Sequence, residues 1–238
     1  MGAEAAPALL YLPVLPGPGS SIELPSDAAH YVARVCRGRV GETVEATDGQ
    51  GARAVIRLTR VREGVGAEVV SIVREVPGPR AWVLCGPPEG ERADWLVEKL
   101  AEFGVERFQP VDCERGSWNR AGVRRARWAR LAEAAMRQSR RTRLMTVSVP
   151  LAIEQALESL PEGSDRWLTD ESGGAPIAEA GRSSGLAVVL VGPAGGLTER
   201  ERNVATQAGF TPVRLARARL RTETAALAWA ARWTGSTG

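Results

Sequence analysis

Residues 186–191 form an uninterrupted apolar run that is followed at once by the glycine-rich turn 192–197. A short continuous apolar run bounded by turn residues is typical of a strand that is covered on both faces. Thr198 and Glu201 then form the Thr-x-x-Glu pattern that begins a helix, expected to reach about residue 208. A buried strand, a glycine turn and a capped helix in succession predict an α/β fold with mainly parallel strands.

The alternation of strands and helices continues on both sides of this unit. A helix is predicted at 93–103, with Leu96 and Leu100 on one face and Gly104 as its end. Residues 172–184, rich in glycine and serine, are expected to form a surface loop. Further strands are predicted from periodicity at 81–84, 107–111, 166–169 and 212–215. Further helices are predicted at 124–139 and 224–233, and another is predicted to begin with residues 153–157.

The first third of the chain has a different pattern. Its closely spaced short strands favour a small β-barrel, and the dipeptide Asp48-Gly49 between two of them is a hairpin signal. Pro-Gly-Pro at 77–79 breaks this pattern. We therefore predict two domains, a β-barrel at 1–76 and an α/β domain at 80–238. The strands predicted in the barrel are 32–35, 43–46, 54–59 and 67–73.

Arginine is concentrated in one part of the chain. Residues 115–143 contain ten arginines and a single acid, Glu133, although the formal net charge of the whole chain is only +3. Such a local excess of cations suits an anionic polymer such as RNA, because guanidinium groups bind phosphates and stack on bases. The alternative is a solvated helix face in a chain that uses arginine in place of lysine, since Lys99 is its only lysine.

Several classes of protein are disfavoured by the sequence. No apolar run approaches the roughly 18 to 20 residues of a membrane-spanning helix. The N-terminus lacks the basic and apolar segments of a secretory signal. Cys36, Cys85 and Cys113 are odd in number and far apart, which favours reduced thiols over disulfides or a zinc site. We expect a cytoplasmic protein with no membrane association and no bound metal.

The strongest candidate for a ligand site combines two segments near the C-terminus. In the turn 192–197, adjacent glycines let backbone amides approach a ligand. Residues 221–224, Arg-Thr-Glu-Thr, come shortly after the last predicted strand and begin an apolar helix. Ligands of open α/β sheets bind where strands end, so these segments are expected to share one site. The turn matches neither the dinucleotide nor the triphosphate loop pattern.

The two segments together resemble the Gly-Pro-Glu-Gly-Gly and Leu-Arg-Thr-Glu-Thr-Ala motifs of the RsmE family of 16S rRNA uridine N3-methyltransferases, which are SPOUT enzymes. The similarity extends to residues 30–49, 98–105 and 138–141, and so over nearly the whole chain. The resemblance implies a trefoil-knotted C-terminal domain that binds S-adenosyl-L-methionine (SAM), an RNA-associated PUA-like N-terminal barrel, and a homodimer. The implied substrate is N3 of uridine 1498 of 16S rRNA in the small ribosomal subunit.

The resemblance and the chemistry together nominate site residues. Removing the N3 proton of uracil, or stabilising the resulting anion, requires an acid–base partner or a nearby cation, for which Glu223 and Arg221 are the catalytic candidates. In the alternative interpretation these two form an ordinary ion pair, and Thr222 and Thr224 cap the helix. The expected cofactor-binding residues are Leu190, Gly192, Pro193, Gly195, Gly196, Leu215, Leu220, Thr222, Thr224 and Ala225, and the expected RNA-binding residues are Arg34, Arg37, Arg39, Arg115 and Arg141.

Two departures from the family motifs motivate an alternative function. Ala194 stands where the family has glutamate, and residues 216–218 read Ala-Arg-Ala where the family has Gly-Pro-Arg. The alternative is a non-catalytic RNA-binding protein that has the same fold and has lost methyl transfer. Titration with SAM distinguishes the two functions.

Overall fold

The computed structural model describes residues 9–118, 121–171, 175–176 and 185–234. These residues divide into two compact units. The first unit consists of residues 9–77 together with Met136–Leu144, and the second contains the described residues of Gly78–Ala135 and of the chain from Met145 onwards.

The first unit contains a five-stranded sheet. Its strands are β1 (Leu9–Tyr11), β2 (Ser21–Glu23), β3 (Thr43–Thr47), β4 (Ala52–Arg60) and β5 (Gly66–Arg74). Their order is β1-β3-β4-β5-β2, and all neighbours are antiparallel except β1 and β3. The hairpin predicted at Asp48-Gly49 is confirmed, because β3 and β4 pair on either side of it and Gly49 has a φ of +73°.

The strand predicted at 32–35 is wrong. Helix α1 (Ser26–His30) leads into this region, which Tyr31–Val35 occupies as a π-helical segment. Valine favours strands locally, but Ala28 and Val32 lie four residues apart and are both buried in the core of this unit. Burial of this helical stripe outweighs the local preference of the valines.

The segment Met136–Leu144 is attached to the first unit by hydrogen bonds that are distant in sequence. The carbonyl of Thr142 accepts from the Gly51 amide at 2.9 Å and from the Thr47 hydroxyl at 3.1 Å. The Thr142 hydroxyl donates to the Glu75 carboxylate at 2.6 Å. Because these partners come from elements far away along the chain, the break at 77–79 gives no sign that this later segment belongs to the first unit.

The second unit is an α/β fold. Its strands are β6 (Arg80–Cys85), β7 (Arg107–Asp112), β8 (Thr146–Val147), β9 (Leu151–Ala152), β10 (Asp165–Thr169), β11 (Ala175–Pro176), β12 (Leu186–Val191) and β13 (Thr211–Arg214). Its helices are α2 (Ala93–Phe103), α3 (Ala121–Gln138), α4 (Ile153–Glu158), α5 (Glu199–Gln207) and α6 (Thr222–Thr234), the last residues of α3 belonging to the first unit. The strand order is β11-β13-β10-β12-β6-β7-β8, β9 pairs with β7, and the pairings are parallel, as predicted.

Helices cover both faces of the central strands. Val188 and Leu190 of β12 pack in a core with residues of α4 and α5, while α6 contacts β6, β12 and α2. All six residues of β12 are buried, which confirms the strand predicted from the apolar run at 186–191. The capping box at Thr198 and Glu201 is also confirmed, with each side chain bonded to the other residue's backbone amide.

Candidate functional site

The two C-terminal segments meet at a cavity of about 370 Å³. Its wall is formed by residues 169–171 at the end of β10, by parts of 191–197 at the end of β12, and by parts of 213–225 around the end of β13 and the start of α6. The cavity therefore opens at the carboxyl ends of three neighbouring parallel strands, the edge at which α/β sheets bind ligands.

One hydrogen bond joins the two segments directly. The hydroxyl of Thr222, the first residue of α6, donates to the carbonyl oxygen of Gly192 at 3.0 Å. Thr222 is buried, so water does not compete freely for this bond. The hydroxyl therefore sets the spacing between the glycine turn and the start of α6.

The glycine turn is also fixed from outside the two motifs. Gly196 has a φ of +71° and its amide donates to the Pro193 carbonyl at 2.8 Å. Pro193 packs against two glycines from other loops: a Cβ on Gly86 would lie 2.5 Å from Pro193 N, and one on Gly116 would lie 2.8 Å from Pro193 Cβ. Sequence reasoning missed Gly86 and Gly116, because their role depends on this tertiary contact.

The structure brings seven of the predicted cofactor residues to the cavity wall, namely Gly192, Pro193, Gly196, Leu215, Leu220, Thr222 and Ala225. Three others do not line it. Leu190 packs on the opposite side of its strand, in the core with α4 and α5, because side chains alternate along a strand. Gly195 lies against Arg115, whose Cβ would be 3.1 Å from an added Cβ, and Thr224 is exposed on α6.

The two predicted catalytic residues both line the cavity, but they differ in environment. Arg221 is exposed, whereas Glu223 is only 2% exposed. The Glu223 carboxylate is paired with the guanidinium of Arg92, which precedes α2. A buried carboxylate needs such a partner. Arg92 therefore fills the place that the sequence interpretation gave to Arg221, and a separation of 131 residues leaves no local signal of the pair.

The cavity wall carries charges of both signs. Glu89, Asp170 and Glu171 supply carboxylates, and Arg202 and Arg219 supply guanidinium groups. Arg202 lies 3.9 Å from Asp170, and Arg219 lies 3.5 Å from Glu171. Val191, Leu197, Val213 and Leu215 add apolar surface. Such a wall suits a ligand that combines an apolar ring with a zwitterionic chain.

Burial raises the pKa values of two thiols of the second unit, Cys85 and Cys113. Burial raises the pKa of Cys85, which ends β6, above its usual value. Burial, together with the Glu201 carboxylate, raises the pKa of Cys113 to about 12.

In the part of the chain that the structure describes, no cluster of histidine, cysteine and acidic side chains could hold a metal ion. Nor is any helix there long and apolar enough to cross a bilayer.

The five arginines predicted to bind RNA lie in different environments. Arg34, Arg37 and Arg39 are exposed close together at the end of the π-helical segment. Arg115 is exposed and donates to the carbonyl of Gly195 at 3.3 Å. Arg141 is partly buried; burial lowers the pKa of its guanidinium, and its Nε has no hydrogen-bond partner among the described residues.

Most of the arginines in residues 115–143 are engaged by the protein itself. The structure describes nine of the ten, and seven of these have side-chain hydrogen bonds, which join Arg115 to Gly195, Arg125 to Val147, Arg127 to Asp94, Arg130 to Ala126, Arg137 to Leu9, Arg140 to Glu45 and Arg143 to Gln50. Arg137 also stacks over the Tyr31 ring at 4.8 Å. Most of the arginines predicted to attract RNA therefore bond within the protein and support its structure.

Comparison with known proteins identifies the family. The family model described as an RNA methyltransferase domain matches residues 75–234. A ribosomal RNA small subunit methyltransferase E from Mycobacterium bovis is 31% identical over 230 residues, covering 92% of this chain and 87% of the relative. One from Bacillus subtilis is 26% identical and covers 87% of each chain.

Solved structures agree with this assignment. The crystal structure of a ribosomal RNA small subunit methyltransferase E from Neisseria gonorrhoeae bound to S-adenosyl methionine matches with a TM-score of 0.86 at 31% identity, covering 94% of this chain and 95% of that one. A probable rRNA-methyltransferase from Porphyromonas gingivalis matches with a TM-score of 0.85 at 27% identity, covering 96% and 97%. The resemblance predicted from the two motifs is confirmed. The chain belongs to the RsmE family of ribosomal RNA small subunit methyltransferases.

Proposed function

We propose that this protein transfers a methyl group from SAM to N3 of a uridine in 16S rRNA, at the family position 1498. The observation that carries this proposal is the cavity that both motif segments line together, closed by the bond from Thr222 to Gly192. The related structure from Neisseria gonorrhoeae, which holds S-adenosyl methionine, supports the choice of methyl donor.

The residues of the cavity fit this cofactor. Its volume of about 370 Å³ lies within the range of small-molecule sites, roughly 300–1,000 Å³. An added Cβ on Gly192 would lie 3.1 Å from Leu197 Cγ, so a larger residue would require Leu197 to shift by a few tenths of an ångström. Gly192, Pro193 and Gly196 would hold the cofactor from one side, and Leu215, Leu220, Thr222 and Ala225 from the other. When bound, SAM supplies an electrophilic methyl group on a sulfonium.

Arg221 and Glu223 have different proposed roles. Arg221 lines the cavity and is exposed, so its guanidinium is available to stabilise the uracil anion that forms when N3 loses its proton. The Glu223 carboxylate is engaged by Arg92, and we assign it an orienting role at the start of α6. This assignment makes Arg92 a positioning residue, since it acts through Glu223.

The family resemblance supports several finer proposals. Residues 1–76 are proposed to be an RNA-associated PUA-like barrel, with Arg34, Arg37 and Arg39 on its exposed surface. Residues 80–238 are proposed to form a SPOUT domain with a trefoil knot, acting as a homodimer in the cytoplasm. Likeness to the solved Neisseria gonorrhoeae structure over 94% of the chain supports a family fold along both parts of the chain.

Mass spectrometry of 16S rRNA tests the reaction. Nucleosides from a strain that lacks this gene should have lost one N3-methyluridine, and the wild-type gene should restore it. A gene encoding Arg221→Ala should not restore the modification, although its product should still bind SAM. An unchanged set of methylated uridines in the deletion strain would overturn the proposed reaction.

The altered motif residue Ala194, which lines the cavity, favours the non-catalytic RNA-binding protein as the second candidate. Isothermal titration with SAM decides between the two functions. Binding in the micromolar range supports the enzyme. Failure to bind at millimolar SAM, with RNA binding intact, supports the second candidate.

A further inference from the structure

The end of β13 and the loop that leads to α6 carry four arginines within eight residues: Arg214, Arg217, Arg219 and Arg221, here called the rim arginines. All four are exposed, and Arg214, Arg219 and Arg221 also line the cavity. Because these residues both line the cavity and reach solvent, they place a dense positive charge around its opening.

The rim arginines are poorly engaged by the rest of the protein. Among the described residues, the side chains of Arg214, Arg217 and Arg221 have no hydrogen bond or ion pair. Arg219 lies 3.5 Å from Glu171, with 70% and 57% of the two side chains exposed. An exposed ion pair of this kind contributes little to stability, so Arg219 can exchange its partner for another anion.

This density of cations does not stabilise the loop that carries it. Like charges close together repel one another and disfavour the folded loop. Seven arginines of 115–143 reduce that cost by bonding to carbonyls and carboxylates, as Arg127 does to Asp94 at 2.6 Å. A polyanion at the cavity opening would supply the counter-charge that Arg214, Arg217 and Arg221 lack.

We infer that three of the rim arginines, Arg214, Arg217 and Arg219, bind the phosphates of the RNA strand on either side of the target uridine. This inference rests on the proposed function and deepens it. A base that reacts inside a cavity must leave its stack, so the flanking backbone has to be held in an extended path across the opening. Guanidinium groups suit that task, because each can donate two parallel hydrogen bonds to one phosphate.

A matched pair of triple variants tests the inference. The rim variant is R214Q/R217Q/R219Q, which leaves Arg221 in place because it is assigned to the chemistry. The control is R124Q/R127Q/R130Q on the exposed face of α3, which removes the same charge. Binding to small ribosomal subunits from the deletion strain is measured across a salt series, with calorimetric SAM affinity and thermal unfolding as checks of the cavity and the fold.

The rim variant should bind the subunits on the order of tenfold more weakly, and the slope of log K against log salt should fall by roughly 2, about 0.7 for each phosphate that is no longer neutralised. The control should stay within about twofold of wild type with an unchanged slope. Wild-type affinity and slope in the rim variant, or an equal loss in the control, would overturn the inference.

A single variant keeps the inference testable if the triple variant alters the cavity. Arg217 is exposed and does not line the cavity wall. If the triple variant loses SAM affinity, Arg217→Gln should still lower the salt slope by about 0.7, and an unchanged slope would then overturn the inference. Failure of the proposed function looks different: the wild type would leave subunits unmethylated, whatever the rim variants do to binding.

Discussion

Residues 115–143 and the rim arginines are both rich in positive charge, but they differ in how many of their guanidinium groups bond to the rest of the protein. In the first region, seven of the nine arginine side chains that the structure describes bond to carbonyls or carboxylates of the protein. In the second, three of four have no side-chain partner among the described residues. We therefore infer an RNA surface from the partners of each guanidinium and not from the number of arginines in a segment.

Helix α3 shows why the first region is largely structural. Its Trp128 is fully buried and packs edge-to-face with Phe108 and Trp118. The Asp94 carboxylate accepts from the Trp128 indole at 2.7 Å and from Arg127 Nε at 2.6 Å. The Asp94 carboxylate thus accepts hydrogen bonds both from a core residue and from a surface arginine of the same helix.

The largest expected effect tests whether α3 is a core helix. Trp128→Ala should lower the free energy of unfolding by about 3–5 kcal/mol, because it removes a fully buried aromatic side chain. The matched control is Trp95→Ala on α2, whose side chain is 48% exposed and whose loss should cost less than about 1 kcal/mol. Urea unfolding measures both, and similar losses in the two variants would break the structural interpretation of α3.

The next largest effect tests whether SAM binding in the cavity is independent of RNA binding by the charges around it. Thr222→Ala removes the hydroxyl that donates to Gly192, which should weaken SAM binding by about 1–1.5 kcal/mol, roughly tenfold, while the RNA salt slope stays unchanged. Thr222→Ser should keep most of the affinity. Thr224→Ala, two residues along the same helix and exposed, should bind SAM as the wild type does. Calorimetry measures all three, and a loss in Thr224→Ala equal to that in Thr222→Ala would refute the role of this hydrogen bond.

The smallest effect concerns a single engaged arginine. Arg140 pairs with Glu45 and has a φ of +58°, a backbone conformation that costs a side chain free energy and glycine very little. Arg140→Ala loses the pair and keeps the strain, so it should be destabilised by about 0.5–1 kcal/mol. Arg140→Gly loses the pair but relieves the strain, and should be more stable than Arg140→Ala by about 0.5 kcal/mol. Thermal unfolding should show that Arg140→Gly is more stable than Arg140→Ala. The reverse order of stability would contradict backbone strain at Arg140.

Local signals explain what the sequence could predict. The strand β12, the capping box of α5 and the bounds of α2 depend on residues within a few positions of one another, and all three are confirmed. The two motif segments were recognisable because each is contiguous. The strand wrongly predicted at 32–35 shows the limit of local preference, since burial of Ala28 and Val32 selects a helix.

Tertiary contacts account for what the sequence could not predict. Arg92 meets Glu223 from 131 residues away, and Gly86 and Gly116 matter only because Pro193 packs against them. The placement of Met136–Leu144 in the first unit has the same origin. None of these contacts leaves a periodicity or a motif in the chain.

Hydrogen–deuterium exchange with and without SAM tests the assigned cavity most directly. Because bound cofactor stabilises the segments that hold it, exchange should slow at 192–197 and at 215–222 and stay unchanged at 124–143. Unchanged exchange in both motif segments at saturating SAM, or protection confined to 124–143, would contradict the assignment of the methyl-donor site to this cavity.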